Sequence, residues 1–113
     1  MTTCEPGAIV LVRFPFTDLT TSKKRPALIV SPASYSSRFG DVVLLPLTSQ
    51  DQDEPSLALT EWQVAGLPKP TWIKPLIATL SLGLVERQIG RIGPRDRRWV
   101  SAAMGMLLTT DWT

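Results

Sequence analysis

Arg25 stands in SKKRPALIV, residues 22–30, between two lysines and a proline that opens an apolar run. An arginine at the mouth of a strand has its guanidinium delivered to a fixed place. That planar fork donates two hydrogen bonds to a phosphate and stays protonated at every working pH. Thr48 and Ser49 close a second apolar run, DVVLLPLTS, residues 41–49. If the two strands are antiparallel neighbours, one guanidinium and two hydroxyls share a rim, an arrangement suited to gripping a phosphate. Each residue also has a plainer role available. Arg25 could pair with Asp41 or Asp18, as charges at strand ends commonly do, and the two hydroxyls could cap the loop that follows them.

The chain contains no histidine. That excludes Ser/His and Cys/His triads, histidine-based zinc sites and paired-histidine acid–base catalysis. Cys4 is the single cysteine, so no internal disulfide is expected, and with no histidine to activate it a thiol nucleophile is not expected either. Neither a metal nor a cofactor is anticipated.

A length of 113 residues fits one domain spanning 1–113, and a 43% hydrophobic, 19% charged composition excludes wholesale disorder. The net charge is only +2, but cations gather at Lys23, Lys24 and Arg25 and again at Arg87, Arg91, Arg95, Arg97 and Arg98. Such clusters suit an anionic partner. The opening MTTCEPG has no basic start or long apolar stretch, and no apolar run approaches the roughly 20 residues of a spanning helix. A cytoplasmic protein with no membrane partner is therefore expected.

The elements that must position these residues are mostly strands. AIVLVRF (8–14), PALIVS (26–31) and DVVLLPL (41–47) are β-rich runs, with Pro46 hinting at an edge or a bulge. The connection PFTDLTTSKKR is too long for a tight hairpin turn and predicts an exposed loop. SLALTEW (56–62) alternates and predicts a fourth strand, and TWIK (71–74) a fifth after the turn-rich AGLPKP. The segment 77–92 reads as a short strand, a turn near Ser81–Gly83 and an extended piece. GPRDRRWVSAAMGMLL places Pro94 at a first helical turn, with Trp99, Val100, Ala103, Met104, Leu107 and Leu108 at helical spacing. Its early arginines oppose the helix dipole, which points to a surface role or plain solvation. The fold class is mainly β with a C-terminal α-helix, a small, strongly bent antiparallel sheet or barrel.

GAIVLVRFPFTD, KKRPALIVS, DVVLLPLTS, GLPKPTWIKP and IGRIGPRD follow one another over nearly the whole chain. In that order and at those spacings they resemble the MazF/PemK family of toxins from toxin–antitoxin pairs. The resemblance implies an SH3-like barrel, a homodimer, and metal-independent cleavage of single-stranded RNA at short sequences, silenced by a cognate antitoxin. It also implies that Arg25 and Thr48 are the catalytic pair, from the RP and TS motifs.

The chemistry of RNA fits those two residue types. The 2′-hydroxyl is a built-in nucleophile, so an enzyme need only align it with the neighbouring phosphorus and stabilise charge on the phosphate oxygens. The products are then a 2′,3′-cyclic phosphate and a 5′-hydroxyl. Lys23 and Lys24 would steer the RNA backbone or keep a loop soluble. Phe16 would stack a base, with Phe14 and Trp72 serving the core or the same purpose. Ser49 and Lys74 complete the expected RNA contacts. The acceptor of the 2′-hydroxyl proton is less evident: where some relatives carry a carboxylate after the TWIK strand, this chain has Pro75 and Leu76. Asp18 is then either that acceptor or an ordinary turn former. Two rival functions stay open: a gyrase-poisoning toxin on the same barrel, for which Trp112 near the end of the chain speaks, and a barrel that binds RNA or protein without cutting.

Overall fold

β1 (Ala8–Arg13) finds cover on both of its faces, which is why five apolar residues run through it without interruption. Ala8, Val10 and Val12 enter one core cluster with Ala27, Ile29, Val42 and Leu44. Ile9 enters a second with Leu28, Leu45, Leu47 and Ile73. The two-residue period of a strand sorts the side chains between these clusters. The structure is a computed structural model that describes residues 4–14 and 23–112. Most of the long connection after β1, including Phe16 and Asp18, lies outside the described residues.

β1 pairs antiparallel with β2 (Lys24–Ile29) on one flank and with β6 (Val85–Arg91) on the other. β2 in turn pairs with β3 (Asp41–Thr48), whose outer flank is shared by β5 (Ala78–Ser81) at its start and β4 (Trp72–Ile73) at its end. The order is β4-β3-β2-β1-β6, with β5 beside β3. This is the mainly β, antiparallel architecture with a C-terminal helix that the sequence indicates. Among the described residues no pairing joins β6 to β4 or β5, so the barrel is open.

Three local readings of the sequence change. Pro46 marks neither an edge nor a bulge, because β3 is an interior strand with continuous register. Its carbonyl accepts the Lys74 N–H at 2.9 Å, so its missing N–H faces the same flank. That flank is where the partner of β3 changes from β5, at Leu44, to β4, at Leu47. Residues 56–62 are not a strand: Pro55 begins a 3-10 helix, Pro55–Leu57, and the only ladder contact is a single bridge from Ala58 to Trp72. The alternation was real, since Leu57 and Leu59 are both buried, but the chain then turns. The short helix α1 (Ala33–Phe39), which ends at Gly40 with φ of 72°, is an addition.

The C-terminal helix α2 (Arg97–Leu107) begins after Pro94, with Asp96 at its N-cap. Val100, Ala103, Met104 and Leu107 pack on the second cluster, leaving the early arginines outward. Among the described residues no helix is long and apolar enough to cross a membrane.

Candidate functional site

The ladder between β2 and β3 stops one residue short of Pro26. Its paired residues are Ile29 with Leu44, Leu28 with Leu45 and Ala27 with Pro46. Val30 N–H donates to Val43 at 3.0 Å, and the alternation of an antiparallel ladder then makes Leu28/Leu45 and Pro26/Leu47 the next positions requiring such a donor. Pro26 has none. Continuing the register two residues beyond Ala27 and Pro46 sets Arg25 opposite Thr48, on the same face of the sheet. Both therefore stand at the unfastened end of two paired strands.

A cleft of about 770 Å³ opens there. Arg25 and Thr48 border it, together with Lys23, Lys24 and Ser49. Leu11, Pro26 and Leu47 supply its apolar part, and these three occupy one rung across β1, β2 and β3 by the same register. Lys69 and Arg87 complete a set of cations. No carboxylate lines the cleft among the described residues, so its field is uniformly positive.

One carboxylate controls part of that charge from outside. The pairing of β1 with β6 slips between Leu11 and Val12, which face Arg87 and Val85, leaving Glu86 as the extra residue of a bulge. Its Oε2 lies 2.7 Å from Lys24 Nζ and its Oε1 accepts from Arg13 Nε. The hydrogen bond from Lys24, followed by that from Arg13, holds the Glu86 carboxyl below its ordinary pKa. Arg25 has no such partner: among the described residues no carboxylate pairs with it. Asp41 is at the opposite end of β3, pairing with Ser81, which rules it out as the partner of Arg25, and Asp18, the other partner the sequence offers, lies outside the described residues. Thr48 Oγ1 accepts the Gln50 N–H at 3.1 Å. This is the expected loop cap, and it fixes the oxygen while leaving the hydroxyl proton available to donate.

The far wall of the cleft is the segment Gly66–Thr71, pressed onto β6. A Cβ on Gly66, whose φ is 86°, would stand 2.4 Å from the Ile89 carbonyl oxygen, so only glycine permits this approach. The base of that segment is anchored by Asp96, which is 1% exposed. Its carboxylate accepts from Thr60 N–H at 2.9 Å, Thr60 Oγ1 at 2.8 Å and Glu61 N–H at 2.9 Å.

A family model described as the PemK-like, MazF-like toxin of type II toxin–antitoxin systems matches residues 5–108. The chain belongs to this toxin family. Among solved structures, the fold of this toxin is similar to a MazE–MazF complex from Deinococcus radiodurans, at 23% identity over 98% of this chain and 100% of that one, with a TM-score of 0.78. It is also similar to the Mycobacterium tuberculosis toxin MazF-mt6, at 21% identity over 93% and 99%, TM-score 0.74. An endoribonuclease in complex with its cognate antitoxin, from a mycobacterial species, matches at 20% identity over the whole of both chains, TM-score 0.69. Among curated proteins none matches the chain by sequence.

Of the residues singled out in the toxin's sequence, Lys23, Lys24, Arg25, Thr48 and Ser49 border one cleft. Lys74 does not: its backbone pairs with Pro46, two residues past the Trp72 that faces Thr48, and its side chain is exposed elsewhere. Phe16 lies outside the described residues. Phe14 is 6% exposed and Trp72 is half-buried, neither lining the cleft. Lys69 and Arg87 were missed. The turn-rich AGLPKP and the basic cluster at Arg87 were both visible, but only the bulge and the close approach of Gly66 bring them to the same opening.

Proposed function

We propose that this toxin is an endoribonuclease that cleaves single-stranded RNA without a metal, by attack of the 2′-hydroxyl on the adjacent phosphate, giving 2′,3′-cyclic phosphate and 5′-hydroxyl ends. The observation that carries this reading is the juxtaposition of Arg25 and Thr48 at a cleft whose charged lining is wholly cationic. Arg25, with no carboxylate partner among the described residues, can turn its fork to the scissile phosphate and stabilise the charge that grows in the transition state. Thr48, its oxygen held by Gln50, donates its proton to the same phosphate. Lys23 and Lys24 steer the backbone inward, and Ser49 adds a hydroxyl. Similar structures support the same reading, one being an endoribonuclease in complex with its cognate antitoxin and another a MazE–MazF complex.

A cognate antitoxin and a second copy of the chain are its proposed partners. The test is incubation of the purified toxin with single-stranded RNA and a chelator, with mapping of the ends produced. Cleavage that yields cyclic phosphate and is lost in Arg25→Ala supports the reading. Intact RNA, or cleavage that survives Arg25→Ala, overturns it, and light scattering of the same sample measures the copy number.

A further inference from the structure

We propose that Arg87 and Lys69 form a second phosphate subsite, which holds the RNA backbone across the cleft from the scissile linkage and leaves the apolar rung between them to receive a base. The inference rests on the RNA-cleaving reading above and adds to it a binding register for the substrate.

The sheet fixes the spacing. Leu11 is paired with Arg87 on one side and with Pro26 on the other, so these three side chains share a face in one row. Two strand spacings separate the Arg87 and Pro26 backbones, about 10 Å; Arg25, the next residue along β2, leaves the strand from the opposite face and borders the same opening at its rim. A nucleic-acid strand carries a phosphate at least every 3.4 Å or so along its axis, and further apart when extended. The two cationic rims are therefore about 10 Å apart or more, a span that suits phosphates on the order of two or more nucleotides from one another.

What lies between the rims is apolar. Leu11, Pro26 and Leu47 form the floor, and such a surface takes the face of an unstacked base better than a phosphate. The Glu86 bulge matters here too. By inserting one extra residue it turns Glu86 to Lys24 and Arg13 while setting its neighbour Arg87 opposite Leu11. Arg87 has no carboxylate partner among the described residues, and Lys69 has none either. Both are exposed and border the same opening from different elements, β6 and the Gly66–Thr71 wall. This arrangement leaves two unneutralised cations bordering one opening, which costs stability and is offset when an anion binds there.

The test uses a short, fluorescein-labelled, fully 2′-O-methylated RNA of random sequence, which binds but cannot be cut. Its affinity for wild type, Arg87→Gln, Lys69→Gln and the double variant is measured across a series of KCl concentrations. Each single variant is expected to weaken binding about fourfold near physiological salt, and the double variant to flatten the log–log salt slope by about 1.4. Cleavage of unmodified RNA by the variants should show a raised KM with kcat little changed, unlike Arg25→Ala. Equal thermal midpoints establish that the variants are folded. If wild type binds the RNA and the variants match it in affinity and slope, the second subsite is overturned and the cleavage reading survives. If wild type neither binds nor cuts RNA, both fall.

Discussion

Gly90 of β6 and Ala65 of the facing segment touch backbone to backbone: a Cβ built on Gly90 would stand 1.8 Å from the Ala65 carbonyl oxygen. No rotamer change can relieve that clash, because a Cβ is fixed by its own backbone and the oxygen it meets belongs to the main chain. Gly90→Ala is therefore expected to push the Gly66–Thr71 wall away from β6, destabilising the fold by about 1–3 kcal/mol. A urea titration reads the loss, and the same variant should lose affinity for single-stranded RNA as the cleft widens. Unchanged stability would mean that the two segments are not in contact in solution.

Thr48→Val keeps the β-branched shape and removes the hydroxyl. Loss of a hydrogen bond to a charged oxygen, about 1.5–3 kcal/mol, corresponds to a roughly 10–150-fold fall in cleavage rate. Thr48→Ser should retain most activity. Single-turnover kinetics with saturating toxin measure the step directly, and equal rates for Val and Thr would remove Thr48 from the chemistry.

Asp96→Ala deletes the acceptor for two backbone N–H groups and one hydroxyl in a buried place. Stranding such donors costs about 1–3 kcal/mol each, so a total near 3 kcal/mol or more is expected, seen as a lower urea midpoint. Hydrogen exchange should quicken at Thr60 and Glu61 first.

Glu86 gives the fold an acid limb. Its pKa in the folded protein lies below the ordinary 4.5, chiefly through Lys24 and then Arg13. A lowered carboxyl pKa means that the unfolded chain binds protons more readily, so this contribution is present above 4.5 and fades as pH falls through the lower folded value. Glu86→Gln should be less stable than wild type at neutral pH, and the gap should close as the pH falls below 4.5 through the lower folded pKa. Paired denaturation curves at several pH values check the sign; a gap that widens on acidification would refute it.

Cys4 is 5% exposed, and burial pushes its thiol pKa above the usual value. It should react with a disulfide reagent in native buffer much more slowly than in urea. Rapid native labelling would show that the chain near Cys4 opens readily.

The strands that carry the site were legible because their apolar runs are continuous, a direct consequence of burial on both faces. Arg25 and Thr48 could be named from types and motifs, yet their adjacency depends on a register that no local pattern encodes. α1 escaped notice because SYSSR has little helix propensity, although Pro32 before it and Gly40 after it bracket the element. SLALTEW misled because alternation reports which side chains are buried, and here it did so correctly at Leu57 and Leu59, without reporting whether a partner strand lies alongside. Lys69 and Arg87 were hidden for a related reason. Their meeting depends on a bulge and on two glycines that let one main chain cross another, features that become meaningful only in three dimensions.

The imino nitrogen of Pro26 has one more effect. With an ordinary amide at that position, β2 and β3 could zip onward toward Thr48, spending the last polar backbone groups on each other and drawing the opening shut. A single missing hydrogen thus keeps a doorway ajar between two strands that are zipped together over the residues before it.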